Sequence, residues 1–279
     1  MHVNRTGDES KVRSPFDVSD DAFAPLADRY LGQFVTLRGI VRAHLVHRQL
    51  LEHLPSGPLH IVDVGGGDGR EAVELAKLGH QVDLVDPSPD MLARARERLA
   101  AAGEDVARRV SLLEASADEV AGLLGGGGHD VVLCHGVIMH LPEPAPLVRA
   151  LVDLARPGGG LVSLLAKNAV PLAWRPALQG RWSDALAVLD KDRDVGGLGV
   201  VTRGDTVESL TGLFAANGAE VLAWYGVRTV TDHLGEIRPP ADLADILELE
   251  WDVGRRDPYR RMARLIHVFA RRRPGVRPG

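Results

Sequence analysis

The segment of residues 60–70, HIVDVGGGDGR, decides the fold class of this chain. Its apolar start has the composition of a short strand, which is followed by a glycine-dense turn and a helix-like segment at residues 71–78. Glycine accepts positive φ and lets the backbone approach a ligand without a Cβ atom in the way. A strand, a glycine turn and a helix in this order are typical of the carboxyl edge of a parallel sheet, where nucleotide-like cofactors bind.

The composition of this turn indicates which cofactor it would accept. The glycines follow the pattern GxGxG over residues 65–69, whereas the dinucleotide fingerprint needs its third glycine at the position of Arg70. An acid just before the turn would repel a diphosphate but would suit a cationic amino group. We therefore expect S-adenosylmethionine rather than the nicotinamide dinucleotide of a dehydrogenase. The residues expected to contact it here are Asp63, Gly65, Gly66 and Gly67.

A second acid follows at the end of the next predicted strand, residues 81–86 (QVDLVD). Asp86 comes 23 residues after Asp63. A carboxylate at the tip of the second strand is placed to accept both ribose hydroxyls of an adenosine. The alternative is that Asp86 caps the helix that begins near residues 88–90, because acids and serine favour that position.

The rest of the chain alternates between strand and helix patterns, as a doubly wound α/β fold does. Further strands are predicted at residues 109–113, 130–135, 161–166, 219–225 and 264–270, with helices ending near 124, 156 and 217. Cys134 lies within an apolar strand and is expected to be a small core residue. The pattern predicts a Rossmann-like, seven-stranded sheet whose last strand runs antiparallel.

Composition and charge exclude several classes of protein. The 279 residues suffice for one large α/β domain, and the net charge of −5 gives no overall attraction to nucleic acid or membrane. The sequence contains no run of about 18 apolar residues, so no membrane span is predicted. The polar amino terminus does not resemble a signal peptide. A single cysteine excludes an internal disulfide and fits a cytoplasmic setting. No metal site is predicted.

Two segments lie outside the basic sheet pattern. Residues 1–54 form an N-terminal extension, with a polar start and a predicted helix over 34–54. Residues 167–200, rich in Trp, Pro and Gly, form an insertion after the fifth strand. Such insertions often build substrate lids, although a surface excursion without ligand contact is the alternative. The methyl-donor-binding domain would then span residues 55–271, and residues 272–279 would form a basic tail.

Several motifs resemble the bacterial tRNA 5-carboxymethoxyuridine methyltransferases, within the class I S-adenosylmethionine-dependent methyltransferases. They span residues 39–268 in order, and those beyond the cofactor core are more specific than the glycine loop. The matching segments are 39–42 (GIVR), 62–69 (VDVGGGDG), 79–82 (GHQV), 133–137 (LCHGV), 154–159 (LARPGG), 168–169 (NA), 226–228 (GVR), 247–250 (LELE), 257–259 (DPY) and 266–268 (IHV).

The resemblance implies roles for individual residues. Arg42 would hold the methionine carboxylate of the cofactor, since a guanidinium can donate two parallel hydrogen bonds to it. His135, at the tip of the fourth strand, would lie beside the sulfonium and act in catalysis. The other cofactor contacts that the resemblance implies are Gly65, Gly66, Asp86, Ala115 and Ser116, the last two through a backbone N–H that meets the adenine ring.

In that family the reaction is esterification of a carboxylate on a modified wobble uridine. A carboxylate is ionised at neutral pH, so it can attack the methyl group without a general base, and the enzyme acts by positioning. A cation that holds the substrate carboxylate is then expected. Arg228 is our candidate, although it could instead bind a phosphate or pair with Asp232 or Glu236.

The sequence leaves the partner of the reaction open. The resemblance implies tRNA, but residues 229–233 (TVTDH) lack the aromatic residue that the family has before the aspartate, and a base would stack on such a residue. Residues 254–279 hold nine arginines against one acid, Asp257, and could bind phosphates. O- or N-methylation of a small metabolite or peptide is the first alternative, and a non-catalytic cofactor-binding protein is another.

Overall fold

The computed structural model describes residues 32, 35–117, 119–195 and 199–275. The strands are β1 His60–Val64, β2 Gln81–Asp86, β3 Val110–Glu114, β4 Val131–His135, β5 Leu161–Lys167, β6 Arg193–Val195, β7 Val201–Arg203, β8 Ala219–Val227 and β9 Leu265–Arg272. The α-helices are α1 Leu37–His53, α2 Arg70–Lys77, α3 Pro89–Ala102, α4 Glu104–Ala107, α5 Val120–Leu124, α6 Ala145–Leu154, α7 Trp174–Leu178, α8 Trp182–Val188, α9 Val207–Ala216 and α10 Leu243–Gly254. Short 3₁₀ turns cover Ile138–His140, Asp232–Leu234 and Tyr259–Met262.

Seven of these strands form one sheet in the order β3-β2-β1-β4-β5-β9-β8. The strands β1 to β5 pair in parallel, whereas β9 pairs antiparallel with both β5 and β8. The predicted seven-stranded sheet with an antiparallel last strand is thus confirmed. Strand order reverses at β1, between β2 and β4, and such a switch point is where ligands bind in open α/β sheets.

Helices cover both faces of the sheet and bury its central strands. Every residue of β5 is buried, as are the first four of β4, which include Cys134. Phe214 of α9 anchors the apolar cluster on one face, and Phe269 of β9 lies in the cluster on the other. This two-sided packing explains the almost continuous apolar runs of the central strands.

Helix α1 packs against the sheet and α10 through Leu37, Val41 and Leu45. Leu50, one turn after Val46, is buried on the same face, whereas Leu51 is exposed. Thr36 caps α1 by accepting the N–H of Gly39. The polar start predicted for residues 1–31 and the end of the predicted tail, residues 276–279, lie outside the described residues.

The excursion after β5 carries α7, α8 and the β6–β7 hairpin. It closes at a bridge between Asn168 and Asp205, so it extends five residues beyond the predicted end at 200. The buried Lys167 ties the hairpin to the end of β5 by donating to Thr202 Oγ1 at 2.6 Å and by pairing with Asp194. The predicted tail also began too early, because Arg272 is the last residue of β9.

No helix in the described part of the chain combines the length and the apolar character that crossing a bilayer requires.

Candidate active site

Strands β1, β2 and β4 are neighbours, and their carboxyl ends bring Asp63, Asp86 and His135 to one edge of the sheet. The glycine loop leads from β1 into α2 at the same edge. Its amides at Gly65 and Gly66 donate to the carbonyl of Val85 at 2.7 and 3.1 Å, which fixes the loop against β2. The residues that the sequence singled out are therefore brought together by the fold.

The glycine loop leaves no room for side chains at Gly65 and Gly66. Gly65 and Gly67 have φ of 73° and 57°, in the left-handed region that favours glycine. A Cβ on Gly65 would overlap the Val137 side chain, and one on Gly66 would lie 2.8 Å from Asp63 Oδ2. Only glycine keeps this cradle open, as the close approach of a cofactor to the backbone requires.

Asp86 lies at the tip of β2 with its carboxylate turned toward the glycine loop. Its Oδ2 accepts the N–H of Gly67 at 2.8 Å and its Oδ1 accepts the N–H of Ser88 at 2.9 Å. Ser88, not Asp86, caps α3, because its hydroxyl accepts the N–H of Met91. Burial raises the pKa of Asp86, while the two backbone donors lower it. Two accepted bonds leave lone pairs for ribose hydroxyls.

Asp63 is a buried acid in surroundings that favour a cation. The residue is only 3% exposed, and burial raises its pKa to about 8, with further increases from the negative charges of Glu71 and Asp86. Arg42 opposes this shift. A carboxyl group among like charges is stabilised by a positive ligand, so Asp63 fits the amino end of S-adenosylmethionine.

Arg42 lies on α1 between the cofactor edge and the loop that follows β8. Its Nη2 donates to the carbonyl of His135 at 3.0 Å and lies close to Gly136. Burial lowers the pKa of both His135 and Arg228, and the charge of Arg42 lowers each of them further. The contact of Arg42 with the cofactor's carboxylate stays a prediction.

His135 belongs to a buried polar chain that sequence reasoning did not identify. Its Nε2 lies 2.9 Å from Ser163 Oγ, which lies 2.7 Å from His267 Nε2. The Nδ1 of His267 lies 2.8 Å from Gln49 Oε1. Burial lowers the pKa of His135 to about 3, with a smaller contribution from Arg42. His135 is therefore neutral at physiological pH, and its predicted catalytic role cannot involve an imidazolium.

The turn after β3 lies beside Asp86, and its backbone donors have partners. The N–H of the buried Ala115 points to the carbonyl of Asp86 at 3.4 Å. The N–H and hydroxyl of Ser116 both donate to Glu119 Oε2, at 2.9 and 2.6 Å. An adenine contact through the Ser116 N–H would have to compete with this carboxylate.

Arg228 is buried in a group of arginines that surrounds one carboxylate. The Nε atoms of four arginines lie 3.5–4.0 Å from the Asp232 carboxylate; they belong to Arg38, Arg175, Arg228 and Arg264. We call these five residues the arginine cluster. Burial alone would raise the pKa of Asp232, but the four positive charges hold it below its usual value. Burial lowers the pKa of Arg228 to about 9. Of the partners considered for Arg228, Asp232 is the one observed.

The buried Glu250 holds the loop that carries Arg228. Its carboxylate accepts the N–H groups of Thr229, Val230 and Thr231 at 2.7–3.0 Å and the hydroxyl of Thr231 at 2.6 Å. Arg228 itself has φ of 61°, which is rare for a residue with a side chain. The four hydrogen bonds to Glu250 hold the three residues that follow Arg228, so we expect Glu250 to position Arg228. Glu250 is the last residue of the LELE motif, but the motif did not indicate that Glu250 binds residues 229–231.

The carboxyl-terminal arginines do not form a surface of positive charge alone. Carboxylates lie within 4.0 Å of most of them: Asp252 pairs with Arg255 and Arg256, Asp257 with Arg260 and Arg261, Asp153 with Arg272, and Glu220 with Arg273. Trp224 stacks under Arg260, with the guanidinium carbon 3.9 Å from the ring centroid. The excess of arginine in residues 254–279 is thus offset by acids, several of which lie outside this segment of the chain.

At the opposite, amino-terminal edge of the sheet, two histidines meet one carboxylate. The Nε2 atoms of His60 and His129 lie 2.8 and 3.3 Å from Asp83 Oδ2. Hydrogen bonding to His129 and His60 lowers the pKa of Asp83. These are residue types that bind metals, and the sequence analysis did not anticipate their grouping. The group lies away from the cofactor edge.

Comparisons with known proteins agree with this geometry. A family model described as a methyltransferase domain matches residues 62–161. The tRNA 5-carboxymethoxyuridine methyltransferase of Escherichia coli K12 is 29% identical over 91% of this chain and 97% of its own. A ubiquinone biosynthesis O-methyltransferase of Xanthomonas axonopodis is 32% identical over 57% of this chain and 65% of its own.

The fold is also found among solved structures. The magnesium protoporphyrin IX methyltransferase of Synechocystis, crystallised with S-adenosylhomocysteine, superposes with a TM-score of 0.60 at 17% identity, covering 91% of this chain and 97% of its own. This likeness shows that the chain shares the fold of such enzymes. The chain is a class I S-adenosylmethionine-dependent methyltransferase, and its sequence resembles the tRNA 5-carboxymethoxyuridine methyltransferases.

Proposed function

We propose that this enzyme methylates a carboxylate oxygen of 5-carboxymethoxyuridine in the anticodon of tRNA, and that it does so in the cytoplasm. The similarity to the Escherichia coli enzyme extends over almost the whole of both chains, whereas the similarity to the ubiquinone enzyme covers little more than half of this one. Motifs outside the cofactor core, such as GVR and IHV, support the same assignment.

The observation that carries this proposal is the surplus of buried positive charge in the arginine cluster. Four guanidinium groups converge on the carboxylate of Asp232, one turn of α1 from Arg42. Arg38 also lies 3.8 Å from the half-exposed Glu236, and Arg264 lies 3.0 Å from Asp194, so the four arginines still outnumber the carboxylates near them. Buried charges are costly unless they are paired, so this arrangement favours an anionic ligand. A carboxylate suits the planar fork of arginine better than a neutral hydroxyl or amine does.

The residues of the edge suit an acceptor that arrives already ionised. When bound, S-adenosylmethionine supplies an electrophilic methyl group, and Asp63, Asp86 and Arg42 are the residues that would hold it. His135 is hydrogen-bonded to Ser163, and its low pKa makes it a poor base for a phenol or amine. A carboxylate gives up no proton in the reaction, so correct placement of one oxygen suffices.

Methylation of a small metabolite or peptide is the second candidate. The pairing of the carboxyl-terminal arginines with acids favours it, because it weakens the argument that this segment binds RNA phosphates. Both proposed reactions would use the same cofactor edge. They differ in the molecule that carries the methylated group, which is tRNA in one and a small metabolite or peptide in the other.

The test is mass spectrometry of wobble nucleosides from cells with and without the gene. We expect the methyl ester of 5-carboxymethoxyuridine to disappear and the free acid to accumulate in its absence. The purified enzyme should form the ester on tRNA isolated from those cells. An unchanged ester level, together with no transfer to that tRNA in vitro, would exclude the tRNA proposal and leave the small-molecule candidate.

A further inference from the structure

We propose that the cleft between α7 and the loop after β8 binds the acceptor as an aromatic ring bearing a carboxylate. Trp174 would contact the ring, and the arginine cluster would receive the carboxylate. This inference rests on the proposed function, because it takes the methylated group to be a carboxylate. It adds the residues that select the acceptor, none of which belongs to the cofactor edge.

The cleft joins an apolar wall to a charged floor. Its apolar wall comes from the excursion after β5, and its charged floor from the loop after β8 and the residue that precedes β9. The residues that line it are Pro171, Trp174, Arg175, Leu178, Thr229, Asp232, His233, Met262 and Arg264. The Trp174 side chain is 47% exposed at this position, so one part of its ring is open to a ligand.

The arginine cluster, of which Arg175, Asp232 and Arg264 line the cleft, contains buried polar atoms whose hydrogen-bonding capacity is unused within the described chain. These atoms are the Nε of Arg38, Arg175 and Arg228, the Nη1 of Arg264 and both carboxylate oxygens of Asp232. Arg38, Arg228 and Arg264 are more than nine-tenths buried. Unsatisfied buried groups are rare in native proteins and call for an explanation, especially when several lie together.

Asp232 cannot satisfy all of the surrounding donors. The shortest approach to its carboxylate is 3.5 Å, from Arg228 Nε, which is too long for a good hydrogen bond. Arg264 also turns its Nη2 to Asp194 of the β6–β7 hairpin, at 3.0 Å. A second carboxylate that enters the cleft would offer these donors the acceptor oxygens that they lack, in the bidentate geometry that arginine favours.

The location of the cluster connects it to the chemistry. Arg38 and Arg42 are one turn apart on α1, with Arg38 in the cluster and Arg42 bonded to the carbonyl of His135. An acceptor carboxylate in the cluster would therefore lie on the acceptor side of the cofactor edge. The ring attached to it would lie along α7 and stack on Trp174. Stacking on an aromatic side chain does not depend on which base is bound.

Two matched pairs of variants test this site in the full-length enzyme. Trp174→Ala and Arg175→Gln change the cleft, and Trp182→Ala and Arg181→Gln are the controls. Trp182 is 67% exposed on α8, and Arg181 pairs with Asp184; neither lines the cleft. We expect KM for tRNA from cells lacking the gene to rise at least tenfold in the cleft variants. Cofactor affinity should stay unchanged, and the controls should remain within twofold of the wild type.

A binding assay separates this inference from the proposed function. Phenoxyacetate carries a ring and a carboxymethoxy group, and its binding to the wild type and the four variants is measured by calorimetry. If phenoxyacetate binds and the cleft variants lose binding while tRNA is not methylated, the site stands and the tRNA assignment fails. If phenoxyacetate does not bind the wild type, or if it binds the cleft variants as well as the controls, the inference is overturned. Normal KM for tRNA in folded cleft variants would overturn it equally.

Discussion

Replacement of Asp63 by Asn tests the assignment of this acid as the residue that meets a positive ligand. In the free enzyme, the pKa of Asp63 is raised to about 8, mainly by burial and to a smaller extent by the negative charges of Glu71 and Asp86. The folded protein therefore binds this proton more tightly than the unfolded chain does. As pH rises from about 4 to about 8, the unfolded chain is ionised first, and the folded state loses stability relative to it.

The expected magnitude follows from the shift of the Asp63 pKa. A change from the usual value of 3.8 to about 8 destabilises the free folded enzyme at pH 8 by on the order of 5 kcal/mol. Asn has nearly the same shape but no charge, so Asp63→Asn should stabilise the free enzyme. The gain should be larger at pH 8 than at pH 5. The same change removes the partner of the cofactor's cation and should weaken S-adenosylmethionine binding by about 1.5–3 kcal/mol.

Urea unfolding at pH 5 and pH 8 measures the first effect, and calorimetry at pH 8 measures the second. Cofactor binding to the wild type should also release a proton below pH 8, because a bound cation lowers the pKa of Asp63. Asp105→Asn, a change at an exposed acid of α4, serves as the control. A variant that is no more stable at pH 8 and binds the cofactor normally would refute the assignment.

Three further substitutions test the roles of Asp86, Arg228 and Glu250. Asp86→Ala should weaken S-adenosylmethionine binding by roughly 1–3 kcal/mol in calorimetry, because it removes charged hydrogen bonds; unchanged affinity would contradict the ribose assignment. Arg228→Ala should lower turnover in a methyl-transfer assay while cofactor affinity stays normal, and equal loss of both would indicate a structural role. Glu250→Gln should lower the free energy of unfolding by roughly 1–3 kcal/mol in urea, because its amide leaves donors of residues 229–231 unsatisfied. A wild-type unfolding curve would argue against the positioning role of Glu250.

The elements of the sheet were predictable because each depends on local pattern. The apolar run of β4 and the glycine turn after β1 mark their own positions through burial and backbone conformation. The ends of β8 and β9 were predicted too early, because glycine and arginine are less common inside strands. Gly226 and Val227 extend β8 by pairing with β9, although glycine suggests an end, and Arg272 continues β9 despite its charge.

The cofactor residues were also within reach of sequence reasoning, since the tips of parallel strands meet at one edge. Their placement at that edge agrees with the prediction, and their contacts with a bound cofactor remain to be measured. The arginine cluster was not predictable beyond Arg228 and its possible partner Asp232. Its members come from α1, α7 and the segments around β8 and β9, which are up to 226 residues apart in the chain.

By itself, the sequence determined the order of strands and helices, the glycine cradle and the acids that end β1 and β2, because backbone preference and hydrophobic periodicity act over a few residues. Only the tertiary structure decided the state of the charges. It paired the carboxyl-terminal arginines with acids, made His135 a neutral member of a buried chain, and gathered four guanidinium groups around Asp232. Charge interactions depend on distance and burial in space, and neither can be read from spacing along the chain.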